Sequence, residues 1–327
     1  MVNDDARKRL TTLKTESKKK RSFLRKLLCA ALIITPVIFF AGLFYLRDPV
    51  LVVNDAFFSA LYGPKRLLFS RIDASLRLFR PVKAVTIAEN AGADIVVLAL
   101  EDASPRPFCV IAPNRYAGSL RRYAEKHPEI DAGILGDEDR QLPGRAPVPP
   151  SDSSLLWFSV DRNADYYRAG LAAGLFAQGE GRILVFYNTF PLSGQQEALR
   201  LALREQGYQG EPEMISSRIE YSSFDDVSCV ILAGHAPEFF NRNLNIPVIL
   251  FSWIDPAKTS RNTRVIFDDS HWTLTVPMVL GIKKSGPLAE LRGRSIPSKM
   301  KFMPERIENK GFKKLLKSFA KRTWQTG

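Results

Sequence analysis

The chain has 327 residues, 45% hydrophobic and 25% charged, with 47 Lys and Arg against 34 Asp and Glu for a net charge of +13. That length suffices for one large domain or two lobes with sizeable cores, and three cysteines are too few for a disulfide framework. The charge sits at the ends: residues 1–26 hold ten basic and three acidic side chains (+7), residues 299–327 nine and two (+7), so 27–298 stand at −1. A protein that is basic throughout, as general nucleic-acid binding requires, is excluded.

Residues 27–46, LLCAALIITPVIFFAGLFYL, form the longest uncharged run. At about 1.5 Å per residue a helix of this length reaches ~30 Å, the thickness of the hydrocarbon core of a bilayer. Pro36 and Gly42 are tolerated in such helices, and Tyr45 suits the interface. A buried core helix and a removable secretory signal are the rivals. The signal needs a small-x-small cleavage site, and Phe39-Phe40-Ala41 places a bulky ring there. The reading is one uncleaved transmembrane helix. The ten basic residues before it hold the amino terminus inside, which places 47–327 outside the cytoplasmic membrane in the periplasm. Cys29 lies at the start of the span, not after it, which argues against lipidation; Cys109 and Cys229 read as buried, unpaired thiols.

Beyond the span the chain alternates short apolar runs with amphipathic segments. Residues 50–53 are a β-branched run ending at Asn54-Asp55; 56–78 have helical spacing broken at Gly63-Pro64. Residues 82–87, 95–100, 108–112 and 130–135 read as strands, with a helix from Pro113-Asn114 between the last two. Residues 141–154 are a Pro-, Ser- and Gly-rich loop. A second set follows: strands at 155–160 and 182–187, a helix at 166–177 whose Gly170 and Gly174 admit close approach to the sheet, and a helix ended by Gly207. Strands at 229–233, 247–253 and 265–267, a short helix at 237–242, and a helix capped by Asp268-Asp269-Ser270 complete it. Strands alternating with helices imply parallel sheets covered on both faces.

The run Ser159-Val160-Asp161-Arg162-Asn163, then Tyr167-Arg168-Ala169-Gly170-Leu171-Ala172-Ala173-Gly174, the Gly181-to-Phe186 strand and Val265-Ile266-Phe267-Asp268-Asp269 resemble the type I periplasmic solute-binding fold. LacI-like repressors share it, as does the basic membrane protein family of nucleoside-binding lipoproteins. The resemblance covers roughly 50–285 and implies an α/β, two-lobed fold with parallel sheets. Its boundaries would be a basic tail at 1–26, the span at 27–46, lobe 1 at 47–160, lobe 2 with a return crossing at 161–285, and a basic extension at 286–327. There is no lipid-anchor motif, and 26 residues before a span leave no room for a helix-turn-helix.

In open α/β sheets ligands sit beyond the carboxyl ends of strands. That rule points to Asn54, Asp55, Phe57, Phe58, Asp102 and Asn114-Arg115 in the first set and to Asp161, Tyr187, Asn188, Phe190, Trp253, Asp255 and Asp268 in the second. From these it selects Asn54, Phe58, Asp102, Asp161, Tyr187, Asn188, Trp253 and Asp268 as ligand contacts. Rings that stack and acids that accept hydroxyl protons suit a nucleoside or sugar; each residue also has a plain alternative as a cap, a turn former or core. His127, His235 and His271 are far apart without metal-ligand spacing, and no nucleophile elbow or phosphate loop occurs, so neither catalysis nor a cofactor is expected. In the tail, Phe312, Leu315, Leu316, Phe319 and Trp324 fall near one helical face with lysines opposite; this face lies on a membrane, packs on the domain, or docks a partner. Two functions follow. One is a membrane-anchored receptor closing two lobes on a small polar ligand, with a transporter permease as its partner; the other is a non-catalytic envelope scaffold with a degenerate cleft.

Overall fold

A computed structural model describes residues 44–136, 155–217, 223–233, 245–253, 258–284 and 294–324, together with Thr35 and Gly42. The predicted span, Cys29, the 141–154 loop and the 237–242 helix lie wholly or almost wholly outside these residues. Among the described residues no helix is long and apolar enough to cross a membrane. The chain divides into a small unit, up to Asp48 with Phe79–Pro81, and a large one holding the rest. In the small unit the Phe44 ring meets Phe79 edge-on at 6.0 Å, and the Arg47 guanidinium lies 4.8 Å from the Phe79 centroid.

The large unit carries two six-stranded sheets. The first contains β1 (Val50–Asp55), β2 (Val82–Ile87), β3 (Cys109–Pro113), β4 (Asp131–Gly136), β5 (Leu155–Val160) and β11 (Arg294–Ile296), ordered β11-β5-β4-β3-β1-β2 with every pair parallel. The second contains β6 (Arg182–Tyr187), β7 (Glu213–Ser216), β8 (Val227–Ala233), β9 (Val248–Phe251), β10 (Thr263–Asp268) and β12 (Lys299–Phe302), ordered β12-β10-β9-β8-β6-β7. Only β12 runs antiparallel. Each sheet therefore repeats one doubly wound order, second-first-third-fourth-fifth strand, then adds a strand from the carboxyl-terminal region. This is the two-lobed, parallel, type I periplasmic-binding-protein-like fold.

Lobe 1 is layered. Helices α1 (Ala56–Tyr62), α2 (Pro64–Leu78) and α7 (His271–Lys284) cover one face of its sheet, and α3 (Ala93–Ala103) and α4 (Ala117–Lys126) the other. Asp55 starts α1 by accepting the Phe58 N–H at 3.0 Å. Gly63, at φ +74, ends it in a conformation open to glycine, and Pro64 opens α2, where its missing N–H costs nothing. In lobe 2, α5 (Arg162–Ala177), α6 (Ser193–Glu205) and α8 (Lys310–Phe319) pack on one face of the sheet.

Three expectations need correction, and one choice left open, that of the tail helix, is decided in favour of packing on the domain. Residues 95–100, expected as a strand, belong to α3, and a short 3₁₀ turn at Asn114–Tyr116 precedes α4. Gly170 and Gly174 admit α6, not the sheet: a Cβ on Gly170 would lie 2.7 Å from Ala202 Cβ and from the Leu199 carbonyl oxygen. The apolar stripe of α8 is not free for a membrane surface. Leu316 and Phe319 are buried against lobe 2, Phe312 meets Phe176, and Trp324 meets Tyr167 at 5.4 Å. Finally, the segment set apart as an extension supplies the last strand of each sheet, β11 and β12. Cys109 and Cys229 are buried and form no disulfide among the described residues, as the sequence suggests.

Candidate functional site: the cleft between the lobes

The chain passes between the lobes three times: after β5, after β10, and between β11 and β12. These passages are laced together. The Asp161 N–H donates to the Ile296 carbonyl at 2.9 Å, joining the first to the third. Arg162 reaches from the first to Asp269 on the second at 2.7 Å. Asp165, wholly buried, accepts from Arg162 (3.4 Å), Arg168 (2.5 Å) and the Ser298 N–H (3.1 Å) and hydroxyl. Arg168 also donates to the Ser298 carbonyl at 2.9 Å. Buried charges persist only when paired and hydrogen-bonded, and each here has both.

Beside this knot Asp268 forms a second one. Its Oδ1 accepts from the Ser270 hydroxyl (2.5 Å), the Ser270 N–H (3.3 Å) and the Tyr62 hydroxyl (3.4 Å). Its Oδ2 accepts from Thr273 (2.5 Å), Arg66 (3.4 Å) and Lys301. Burial pushes the Asp268 carboxyl up, while Ser270, Thr273 and Arg66 pull it down. Tyr62, raised far above its ordinary value by burial and next by Asp268, stays protonated and donates. Tyr62 and Arg66 come from lobe 1 and Lys301 from lobe 2, so this carboxylate fastens the lobes together.

A cavity of about 260 Å³ opens where the lobes meet. From lobe 1 it takes the ends of β1 and β3, the point where the strand order reverses, contributing Phe57, Phe58, Asn114 and Arg115. From lobe 2 it takes Ser252 and Trp253 after β9, with Asp269, Ser270 and His271 of the return crossing. Arg115 is positioned by charge and rings: Nη1 lies 3.1 Å from the buried Asp55 carboxylate, and the guanidinium sits 4.7 and 4.8 Å from the Phe57 and Phe58 centroids. The Tyr116 hydroxyl donates to the same Asp55 at 2.6 Å; burial, then Asp55, raises its pKa to about 12. His271, buried under Phe58 at 4.6 Å between ring centroids, bonds the Val53 carbonyl through Nε2 at 3.0 Å. Burial lowers its pKa to about 4, so it is neutral at neutral pH.

Trp253 is 5% exposed. It stacks on Tyr62 at 6.1 Å, with the Arg66 guanidinium at 4.8 Å and the Lys301 ammonium at 4.4 Å from its ring. Its indole N–H, and the Arg66 Nε–H nearby, are buried without an acceptor among the described residues.

Of the eight residues selected by the strand-end rule, the structure brings Phe58 and Trp253 to the cavity wall. Asn54 and Asp268 stand behind it. The Asn54 amide accepts from the Trp272 indole at 3.0 Å and donates to Ser59 at 2.7 Å, a wholly internal engagement. Asp161 caps α5 through the Ala164 N–H at 3.0 Å. Asp102 is exposed on the last turn of α3, displaced because the expected strand is a helix. Tyr187 and Asn188 end β6 outside the cavity wall, Tyr187 packed edge-on to Phe190 at 5.1 Å and Asn188 accepting from Ser217. Sequence reasoning did not single out Tyr62, Arg66, Arg162, Arg168 or Lys301 as site residues. Tyr62, Arg66 and Lys301 meet a partner as much as 206 residues away, whereas the Arg162-Asp165-Arg168 spacing of three is a local signal that was there to be read. Among the described residues no group of His, Cys, Asp and Glu is arranged to hold a metal ion.

No family model matches the chain, and no curated protein matches it. Solved structures do. An arabinose binding protein from Geobacillus stearothermophilus is 13% identical over 78% of this chain and 96% of its own, with a TM-score of 0.47. A LacI transcriptional regulator from a Rhodococcus species is 12% identical over 78% and 96%, with a TM-score of 0.45. A periplasmic ribose ABC transporter from Conexibacter woesei is 12% identical over 81% and 99%, also at 0.45.

Proposed function

We propose that the protein is a membrane-anchored, extracytoplasmic receptor for a small polar solute, and that the lobes close on the ligand about the three crossings. The observation that carries this reading is the cavity at the strand-order reversal of lobe 1, walled by side chains of both lobes and bordered by a buried indole N–H that lacks an acceptor among the described residues. About 260 Å³ falls just under the roughly 300–1,000 Å³ of ordinary ligand pockets, so a single ring fits better than a nucleoside. Residues 27–46 anchor it in the cytoplasmic membrane with the amino terminus inside. A transporter permease is the natural partner of such a receptor. Alkaline-carbonate extraction tests the anchor: a chain released as a soluble protein rejects it.

The binding experiment is a thermal-shift series on the full chain in detergent against single-ring polar solutes. At a ligand concentration of ~100 times Kd one site adds about 2.7 kcal/mol, an increase in Tm of roughly 5 °C for a unit of this size. Trp253→Ala should abolish the shift.

One observation favours the alternative, a scaffold whose cleft is degenerate. Lobe 1 and lobe 2 already touch through the protein's own groups: Tyr62 on Trp253, and Lys258 Nζ donating to the Ala60 carbonyl at 2.6 Å. A folded chain that gives no shift with any solute selects that reading.

A further inference from the structure

We infer that the solute held in the cleft is an anion: a carboxylate-bearing compound of single-ring size, such as a sugar acid, with Arg115 as the partner of its carboxylate. This rests on the receptor reading and narrows its ligand class.

The argument is one of hydrogen-bond capacity. A neutral sugar offers hydroxyl protons and needs acceptors, and carboxylates at strand ends are the usual supply. Here those carboxylates are engaged. Asp55 gives Oδ1 to the Phe58 N–H and Oδ2 to Arg115 and Tyr116. Asp268 spreads both oxygens over six donors, and Asp269 holds Arg162 at 2.7 Å.

Donors remain. Arg115 has five N–H groups; among the described residues it spends Nη1 on Asp55, and its side chain stays 32% exposed at the cavity. Phe57 and Phe58 hold the guanidinium plane in place, which favours a two-pronged bond to a planar carboxylate.

Charge points the same way. Of the charged side chains at the cavity wall, Arg115 and Asp269, the carboxylate holds Arg162 while the guanidinium keeps donors to spare, in a recess where screening is weaker than in water.

The test pairs solutes that differ in little but the acid group. D-galacturonate is compared with D-galactose, and D-glucuronate with D-glucose, by calorimetric titration of the full chain in detergent. The expected result is that one acid binds at least about tenfold more tightly than its neutral counterpart and weakens several-fold between about 20 and 200 mM salt. Arg115→Lys keeps weaker binding and Arg115→Gln loses it. Because Arg115→Gln leaves Asp55 buried without its cation, the double variant Asp55→Asn/Arg115→Gln separates lost binding from lost folding. Binding of the neutral sugars with indifference to the acids overturns the anion inference and leaves the receptor standing. Binding of neither class by a folded chain overturns both.

Discussion

His271 shows how far burial alone sets the behaviour of a single side chain. It has no metal-ligand spacing in the sequence, and in the structure it sits under Phe58, bonded to the Val53 carbonyl, and is kept neutral. Its folded pKa of about 4 lies below the ordinary 6.5. Between those values the unfolded chain takes up a proton that the folded chain refuses, so stability is full above pH 6.5 and falls as the pH drops towards 4. From pH 6.5 to 5 this residue should remove about 2 kcal/mol, read by urea unfolding at the two pH values. In His271→Gln that part of the pH dependence should vanish. Asp165 belongs to the same scale. It is wholly buried between Arg162, Arg168 and Ser298, and Asp165→Asn leaves two guanidinium groups poorly compensated. A loss of about 3–5 kcal/mol in denaturant unfolding is expected. Its two arginines stand three residues to either side in the sequence, but its third partner, Ser298, arrives 133 residues later and has no local signal.

The elements were legible where their periodicity was unambiguous. Strands 155–160 and 182–187 coincide with β5 and β6, and the Gly63-Pro64 break separates α1 from α2. The miss at α3 has a physical cause. Ile95-Val96-Val97-Leu98-Ala99-Leu100 is a continuous apolar run, and such a run carries no period to separate a helix from a buried strand. The structure supplies what the run conceals: Val96, Val97 and Leu100 are buried while Ile95 and Leu98 face outwards, a helical alternation. The strand-end rule moved with that error and carried Asp102 out of the site. The rule found the right neighbourhood at β1, β3 and β9, but it could not tell wall from backing, because whether Asn54 or Phe58 faces the cavity depends on what α7 places behind them. The α5–α6 contact yields a further test. Gly170→Ala gains helix propensity of about 1 kcal/mol but puts a methyl 2.7 Å from Ala202 Cβ and the Leu199 carbonyl. Net destabilisation of about 1–2 kcal/mol, seen as a lower Tm, is the expected balance.

At the scale of the whole molecule, two near-equivalent lobes are joined by three passages that cross-brace one another. Two lobes with parallel sheets were implied by the alternation of strands and helices and by the resemblance, whereas the duplicated strand order comes from the structure. The third passage was not, since β11 and β12 are three and four residues long and follow a stretch without clear periodicity. Their role makes a strong prediction. A chain ending at residue 293 lacks Ser298, Lys301 and the outer strand of both sheets, and should fail to unfold cooperatively in a calorimetric scan, whereas removal of residues 325–327 should leave the transition in place.

The lateness of β11 and β12 bears on how the protein is made. Chains emerge amino-terminal end first at about 5–20 residues per second, so β5 and β10 wait as open strand edges while the rest of the polypeptide is synthesised. Each edge presents unpaired N–H and C=O groups to whatever strand it meets, including the other lobe's. A nascent chain of this design depends on being held apart from its neighbours until its final segment arrives to seal both sheets at once.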